Sequence, residues 1–240
     1  MRSILRGFAC AAAFGLAGPA LAAPGLGSEI YGATVEQGEP EVEVRYDALA
    51  GGADDGEDLL KLEASYGVTD RLQLGVQAEF EREAGLPRKA EEVGVEAIYE
   101  LGRVGGVDVA LYGEYAIAFD GADAVESKLL LQRRTGKWDM RLNLIAERKL
   151  IDGAPVELQY AASADVQAFG EVRLGVQAFG ELGTFSHFLP RAEHFAGPVA
   201  KVEIEGLGPE LVLTTGYLFA LSKARDDSKG MFRLAIELEF

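Results

Sequence analysis

Alternation of side chains predicts an all-β fold for this chain: a closed, antiparallel, up-and-down transmembrane β-barrel of about twelve strands. Three observations carry that expectation. Apolar and polar residues take turns from Glu41 to the last residue, Phe240. The candidate strands run to roughly nine to twelve residues, the length of a tilted membrane strand and longer than the usual five or six. Their polar face is strongly charged, where a small soluble barrel would be filled by apolar side chains.

The first segment stands apart. Residues 1–23, "MRSILRGFACAAAFGLAGPALAA", begin with Arg2 and Arg6, continue through an apolar stretch and reach the small residues Ala20-Leu21-Ala22. That order predicts a signal peptide over 1–22, cut after Ala22. Its removal takes away Cys10, the sole cysteine of the 240 residues, so the mature chain can form neither a disulfide nor a cysteine-metal site. Cys10 precedes most of the apolar stretch, which does not suit a lipid acceptor. Residues 23–40 are rich in Gly and Glu and show no clear period; they are expected to be a periplasmic lead-in to a barrel spanning 41–240.

Within the barrel, each segment separates one oily face from one wet face. "EVEVRYDA" sets Val42, Val44 and Tyr46 against Glu43, Arg45 and Asp47. "LLKLEASY" opposes Leu60, Leu62 and Tyr66 to Lys61 and Glu63, and "RLQLGVQAEFE" opposes Leu72, Leu74, Val76 and Phe80 to Arg71, Gln73 and Glu79. "EVGVEAIYEL" follows, and further strands are expected near 107–119, 125–134, 137–148, 156–167, 171–182, 198–205, 210–221 and 230–240. Alanines blur the faces of 156–167, and Pro198 weakens 198–205. "LGVQA" occurs at 74–78 and again at 174–178, which reads as one outward-apolar, inward-polar demand met twice or as the record of a hairpin duplication.

Connections alternate between short turns, such as "GVTD" and "TGK", and longer polar loops, such as "LAGGADDGED" and "GTFSHFLPRAEHF". Tight periplasmic turns opposite larger external loops are the asymmetry of an outer-membrane barrel, and an even strand count puts both termini on the periplasmic side. Aromatics collect at strand ends: Tyr66, Tyr99, Trp138 and Phe240 toward one rim, and Tyr46, Phe80, Phe119, Tyr160, Phe219 and Phe232 toward the other. Amphipathic rings take such places at lipid–water boundaries.

Hydrocarbon satisfies no backbone N–H or C=O, so a sheet in lipid must close by pairing its last strand with its first. The terminal "FRLAIELEF", ending on Phe240, resembles the assembly signal of bacterial outer-membrane barrels, which implies reading by the barrel-assembly machinery and contact with outer-membrane lipid and lipopolysaccharide. Within that class, "ASYGVTDRLQLGVQAEF" (64–80) resembles the strand–turn–strand signature of the MetA-pathway of phenol degradation family, through Tyr66, Gly67, Thr69, Asp70, Arg71, Leu72 and Gly75. The resemblance implies an outer-membrane channel or transporter for small molecules and hints at aromatic or hydrophobic compounds. The strand pattern alone shows no greasy lumen track.

Acids outnumber bases on the inward face. Glu43, Asp47, Glu63, Glu79, Glu96, Asp108, Glu114, Glu147, Glu181 and Glu237, with Arg45, Arg71, Arg141, Arg173 and Arg233, are the candidate lumen-lining residues that would set selectivity. An electronegative lumen favours cations or neutral solutes over anions; a ladder of ion pairs filling a narrow interior is the other outcome. The net charge of −16 argues against nucleic acid as a partner. His187 and His194, the two histidines, fall in the loop expected at 183–195 and match no metal-ligand spacing. Ser186 beside His187 supplies no third catalytic group, so no enzyme, cofactor or metal is expected. The tips "ADDGED" and "ARDDSKG" read as solvated turns.

Overall fold

The computed structural model describes residues 23–204, 206 and 208–240; the leader expected over 1–22 lies outside them. From Pro40 onward the chain is a continuous antiparallel sheet. Its strands are β1 (Pro40–Gly52), β2 (Asp58–Gly67), β3 (Leu72–Arg82), β4 (Lys89–Val104), β5 (Val107–Ala118), β6 (Ala124–Thr135) and β7 (Trp138–Lys149), then β8 (Glu157–Phe169), β9 (Val172–Thr184), the two-residue β10 (His187–Phe188), β11 (Glu193–Ile204), β12 (Glu210–Ser222) and β13 (Ser228–Glu239). Twelve long strands pair in chain order, with β10 only folding back on the end of β9. The seam closes between β1 and β13, in a register running from Glu41 opposite Glu239 to Gly52 opposite Ser228. Every wall strand therefore has a partner on both sides, which is what hydrocarbon demands of a backbone. Phe240 finishes the seam: its N–H donates to the Pro40 carbonyl at 3.0 Å, while its ring is exposed.

Period two sets the two faces. Val76 and Val95 are 56% and 57% exposed on the outside, whereas Glu43, Arg45 and Asp47 are buried on the inside. Tyr66, Tyr99 and Trp138 lie exposed toward the rim of short turns, which also holds Phe240, and Phe119 and Phe219 lie exposed toward the rim of long loops. In one place the wall departs from expectation. β11 starts at Glu193 rather than near Pro198, so His194 belongs to a strand and not to a loop. Pro198 is accommodated because it has no N–H to donate: it stands opposite Val176 of β9, while toward β12 the register has no partner for Gly197 or Pro198.

The lead-in is the larger correction. Residues 23–37 do not stay outside the wall but run through the barrel, with Leu26, Ile30, Tyr31, Ala33 and Val35 all buried. Leu26 packs near the long-loop rim with Leu59 and Phe179, and Gly38 reaches the short-turn rim, where its N–H donates to the Gly67 carbonyl at 2.8 Å. Apolar residues of the inner wall pack against this segment at two levels, so its burial covers them.

Candidate functional site: a threaded lumen

A strand in the wall satisfies its backbone through neighbouring strands. The threaded segment has no such neighbour, and inward side chains of the wall take over that role. Asn143 of β7 acts as a surrogate strand edge: its Oδ1 accepts from Tyr31 N–H at 2.8 Å, and its Nδ2 donates to the Tyr31 carbonyl at 3.1 Å. Gln132 of β6 accepts from Ala33 N–H at 3.0 Å, and Glu100 of β4 from Val35 N–H at 3.2 Å. Arginines cover the carbonyls: Arg45 donates to Gly27 at 3.0 Å, Arg141 to Ile30 at 3.2 Å, and Arg233 to Gly25 at 3.1 Å and also to Ser28. Asp47 completes the set by accepting from Gly27 N–H at 2.9 Å while pairing with Arg233 at 3.1 Å.

Two features bolt the segment in place. Tyr31 reaches across the lumen, its hydroxyl within 3.3 Å of Glu63 and 3.2 Å of Glu96, which also accepts from Tyr112 at 2.8 Å. The Lys128 ammonium sits over both rings, 4.5 Å from the Tyr31 centroid and 4.3 Å from that of Tyr112, a cation–π clamp between wall and segment. Closer to the long-loop rim, Gly25 and Gly27 take positive φ values of 90° and 74°; a Cβ on Gly27 would lie 2.5 Å from Leu59, so only glycine passes there.

Around Leu26 and Ile30 the inner wall is apolar, made by Phe179, Phe195, Leu218, Met231, Ala161 and Leu59 among others. The greasy track that the strand pattern did not reveal therefore exists, and the chain's own side chains cover it. Each fully buried aliphatic side chain contributes about 1.5–3 kcal/mol. Phe179 also carries the Arg233 guanidinium 4.3 Å above its ring. A second apolar cluster joins Tyr31, Ala33 and Val35 to Ile98, Ala110, Tyr112 and Leu130 of the wall, and charged groups line much of the remaining interior. A cavity of about 500 Å³ opens between the segment and the short-turn rim, and one of about 240 Å³ between it and the long-loop rim. The smaller is bordered by Glu79, Glu81, Glu91, Glu92, Glu114, Glu126 and Glu147 against Lys61, Lys128 and Lys149.

The sequence-derived lumen residues fall as follows. Glu43, Arg45, Asp47, Glu63, Glu96 and Arg233 are buried inside the barrel. Glu43 pairs with Arg45, which also holds Glu29 of the segment at 2.9 Å. Glu79 pairs with Lys61 at 3.5 Å, Arg141 with Asp139 at 3.2 Å, and Arg173 with Asp165. Glu114 accepts from Gln77 and Tyr112, and Glu181 from Glu193 N–H at 3.2 Å. Glu147 borders the smaller cavity, and Glu237 borders the larger one with Glu41 and Glu43 beside it. Asp108 meets Arg103 at 3.5 Å near a short turn. Arg71 departs from the set: it lies exposed in the turn before β3, not on the inner wall, because the strand begins at Leu72. His194 hydrogen-bonds Tyr160 at 3.3 Å, while the Ser186 hydroxyl meets Thr184 at 3.2 Å, so these groups have other partners than one another.

Asn143, Gln132, Lys128 and Tyr112 had not been singled out. Charge does not mark Asn143, Gln132 or Tyr112, although Asn143 and Gln132 stand at inward positions of otherwise regular strands; Lys128 shares the inward face of β6 with Glu126 and Gln132, which period two does mark.

No family model and no curated protein matches the chain. Among solved structures it is similar to a KdgM porin (10% identity, TM-score 0.58, covering 83% of this chain and 99% of that one). It is similar also to a NanC porin (12%, 0.57, 83% and 98%) and to a COG4313 outer membrane channel from Pseudomonas putida F1 (12%, 0.58, 85% and 96%). At these identities the likeness is one of fold: the porin-like outer-membrane β-barrel.

Proposed function

We propose that the chain is an outer-membrane channel for the passive passage of small molecules, in which residues 23–37 occupy the lumen and must yield for a solute to pass. The observation that carries this reading is the manner of attachment. The segment is held by side-chain hydrogen bonds, the ion pair of Glu29 with Arg45, one cation–π clamp and two apolar clusters, with no ladder to the wall, and a cavity lies on either side of it. Such bonds can be exchanged for water one at a time without opening the sheet. Likeness of fold to outer-membrane porins and a channel supports the location, as do the leader-like start and the terminal Phe240, a signal suited to the barrel-assembly machinery.

Small neutral or cationic solutes suit the lumen, aromatic and other hydrophobic ones included. The excess of carboxylates repels anions, and Phe179, Phe195, Leu218 and Met231 offer an apolar resting place once Leu26 and Ile30 move away. The hairpin at 64–80 points the same way. A structural barrel that never transports is the second reading, favoured by the number of wall side chains committed to the segment. Uptake into proteoliposomes separates the two. The account predicts entry of a small neutral aromatic alcohol at least about tenfold faster than of the matching aromatic carboxylate; no uptake above protein-free vesicles, with or without residues 23–37, would end the channel reading.

A further inference from the structure

Tyr31 is held in the way a ligand is held. Its backbone belongs to Asn143, but its side chain lies in a slot built by four strands of the wall. Tyr112 of β5 faces it ring to ring, with centroids 4.7 Å apart and planes tilted by 35°. Lys128, the register partner of Tyr112 on β6, keeps its ammonium over both rings. The hydroxyl ends between Glu63 of β2 and Glu96 of β4, at 3.3 and 3.2 Å. All four wall residues are buried. Together they recognise a flat aromatic body with one donor, and nothing in their chemistry requires that body to belong to the chain. The slot also adjoins free space: Lys128, and Glu114 that accepts from Tyr112, border the cavity of about 240 Å³. We propose that this slot is a solute-binding site with Tyr31 as its built-in occupant, and that a neutral aromatic solute bearing a hydroxyl or N–H unseats the segment by taking the place of that side chain. This rests on the reading of residues 23–37 as a removable occupant of the lumen.

The exchange is balanced contact for contact, so tethering decides it. A short flexible tether gives its own group an effective concentration on the order of millimolar, and a free solute competes from about that range upward. Chemistry decides which solute succeeds. Leaving the slot empty takes the hydroxyl from Glu63, which Lys61 reaches only at 3.9 Å, and an unserved buried acceptor costs about 1–3 kcal/mol. A ring with a donor avoids that cost. A bare ring keeps the stacking and the cation–π contact but not the hydrogen bond. An aromatic carboxylate brings a further negative charge to two carboxylates and is refused. No covalent step is involved. The segment gives way where cargo is present and stays seated where it is absent.

The test uses the protein purified from outer membranes and kept in detergent micelles, with folding of every variant checked by heat-modifiable gel mobility. Cys10→Ser removes the sole native cysteine, and Val35→Cys places one thiol at a buried position of the segment. Its labelling rate reports unseating. Saturating p-cresol should speed labelling at least about tenfold, while toluene and p-toluate at equal concentration should leave it nearly unchanged. No acceleration by p-cresol, or equal acceleration by toluene, overturns the proposal. Tyr31→Ala should reverse the sign. There p-cresol fills an empty slot beside a segment still held by Asn143 and the arginines, so labelling should slow toward the parent rate. Acceleration or no change in that variant overturns the proposal too, since it would mean a general loosening by the solute. Conduction plays no part in this readout, so a barrel that labels as expected but never passes a solute would sink the channel reading and leave the slot assigned.

Discussion

The wall and the segment inside it are made of one chain and solve one problem in two ways. In β1 every residue from Glu41 to Ala50 faces a partner on β13, so removing one side chain leaves the ladder intact. In the segment, Tyr31 depends for both of its backbone groups on the single side chain of Asn143. Main-chain pairing is distributed and hard to undo; side-chain pairing is local and can be undone by one substitution. The contrast marks the wall as permanent and the segment as removable, and it orders the ways to break the molecule.

The largest effect should come from the wall. Val95→Arg puts a charge on the lipid face, where the site is 57% exposed to the surroundings, and should cost about 2–4 kcal/mol of barrel stability near the bilayer midplane; urea titration with tryptophan fluorescence would read it. Breaking the segment should leave that stability unchanged and alter passage alone. Asn143→Leu strands the N–H and C=O of Tyr31, at about 1–3 kcal/mol for a buried unpaired group, and should raise the open fraction in planar bilayers roughly five- to hundredfold. Gly27→Val, which forces a Cβ toward Leu59, should act in the same direction with no loss of folded barrel. A milder break is Tyr31→Phe. It removes the hydroxyl that contacts Glu63 and Glu96, keeps the ring under Lys128, and should shift seating by about 0.5–1.5 kcal/mol.

The smallest effect is one of pH at the long-loop mouth. Burial, then Asp54, Glu81 and neighbouring acids, pushes the Glu57 carboxyl up to about 7. Its folded pKa lies above the unfolded value, so the loop conformation is favoured at low pH and loses that advantage as pH rises toward 7. Charge at the mouth grows over the same interval. Cation preference, read as reversal potential in a salt gradient, should therefore rise between pH 6 and 8, and Glu57→Gln should flatten that step.

Much of this was legible in the residues. Period two placed the faces of the strands correctly because in lipid one rule governs both: apolar out, polar in. The rule failed where something other than lipid or water touches the wall. Phe179, Phe195, Leu218 and Met231 stand at inward positions, and a reading that assigned every apolar side chain to the membrane had no place for them. The segment 23–37 escaped for a related reason. It has neither strand nor helix period, since its backbone is satisfied by Asn143, Gln132 and three arginines scattered over the inner wall, and no local pattern records partners so far away. Arg71 illustrates the finer limit, a one-residue uncertainty in where β3 begins.

Single-channel recording of the mature chain beside the same chain lacking residues 23–37 puts the central claim at risk most directly. If a folded wall encloses a removable occupant, the shortened barrel should keep its urea midpoint and conduct at least about tenfold more current. Unchanged current through an intact barrel, or collapse of the barrel itself, would show that the segment is part of the structure rather than an obstacle within it.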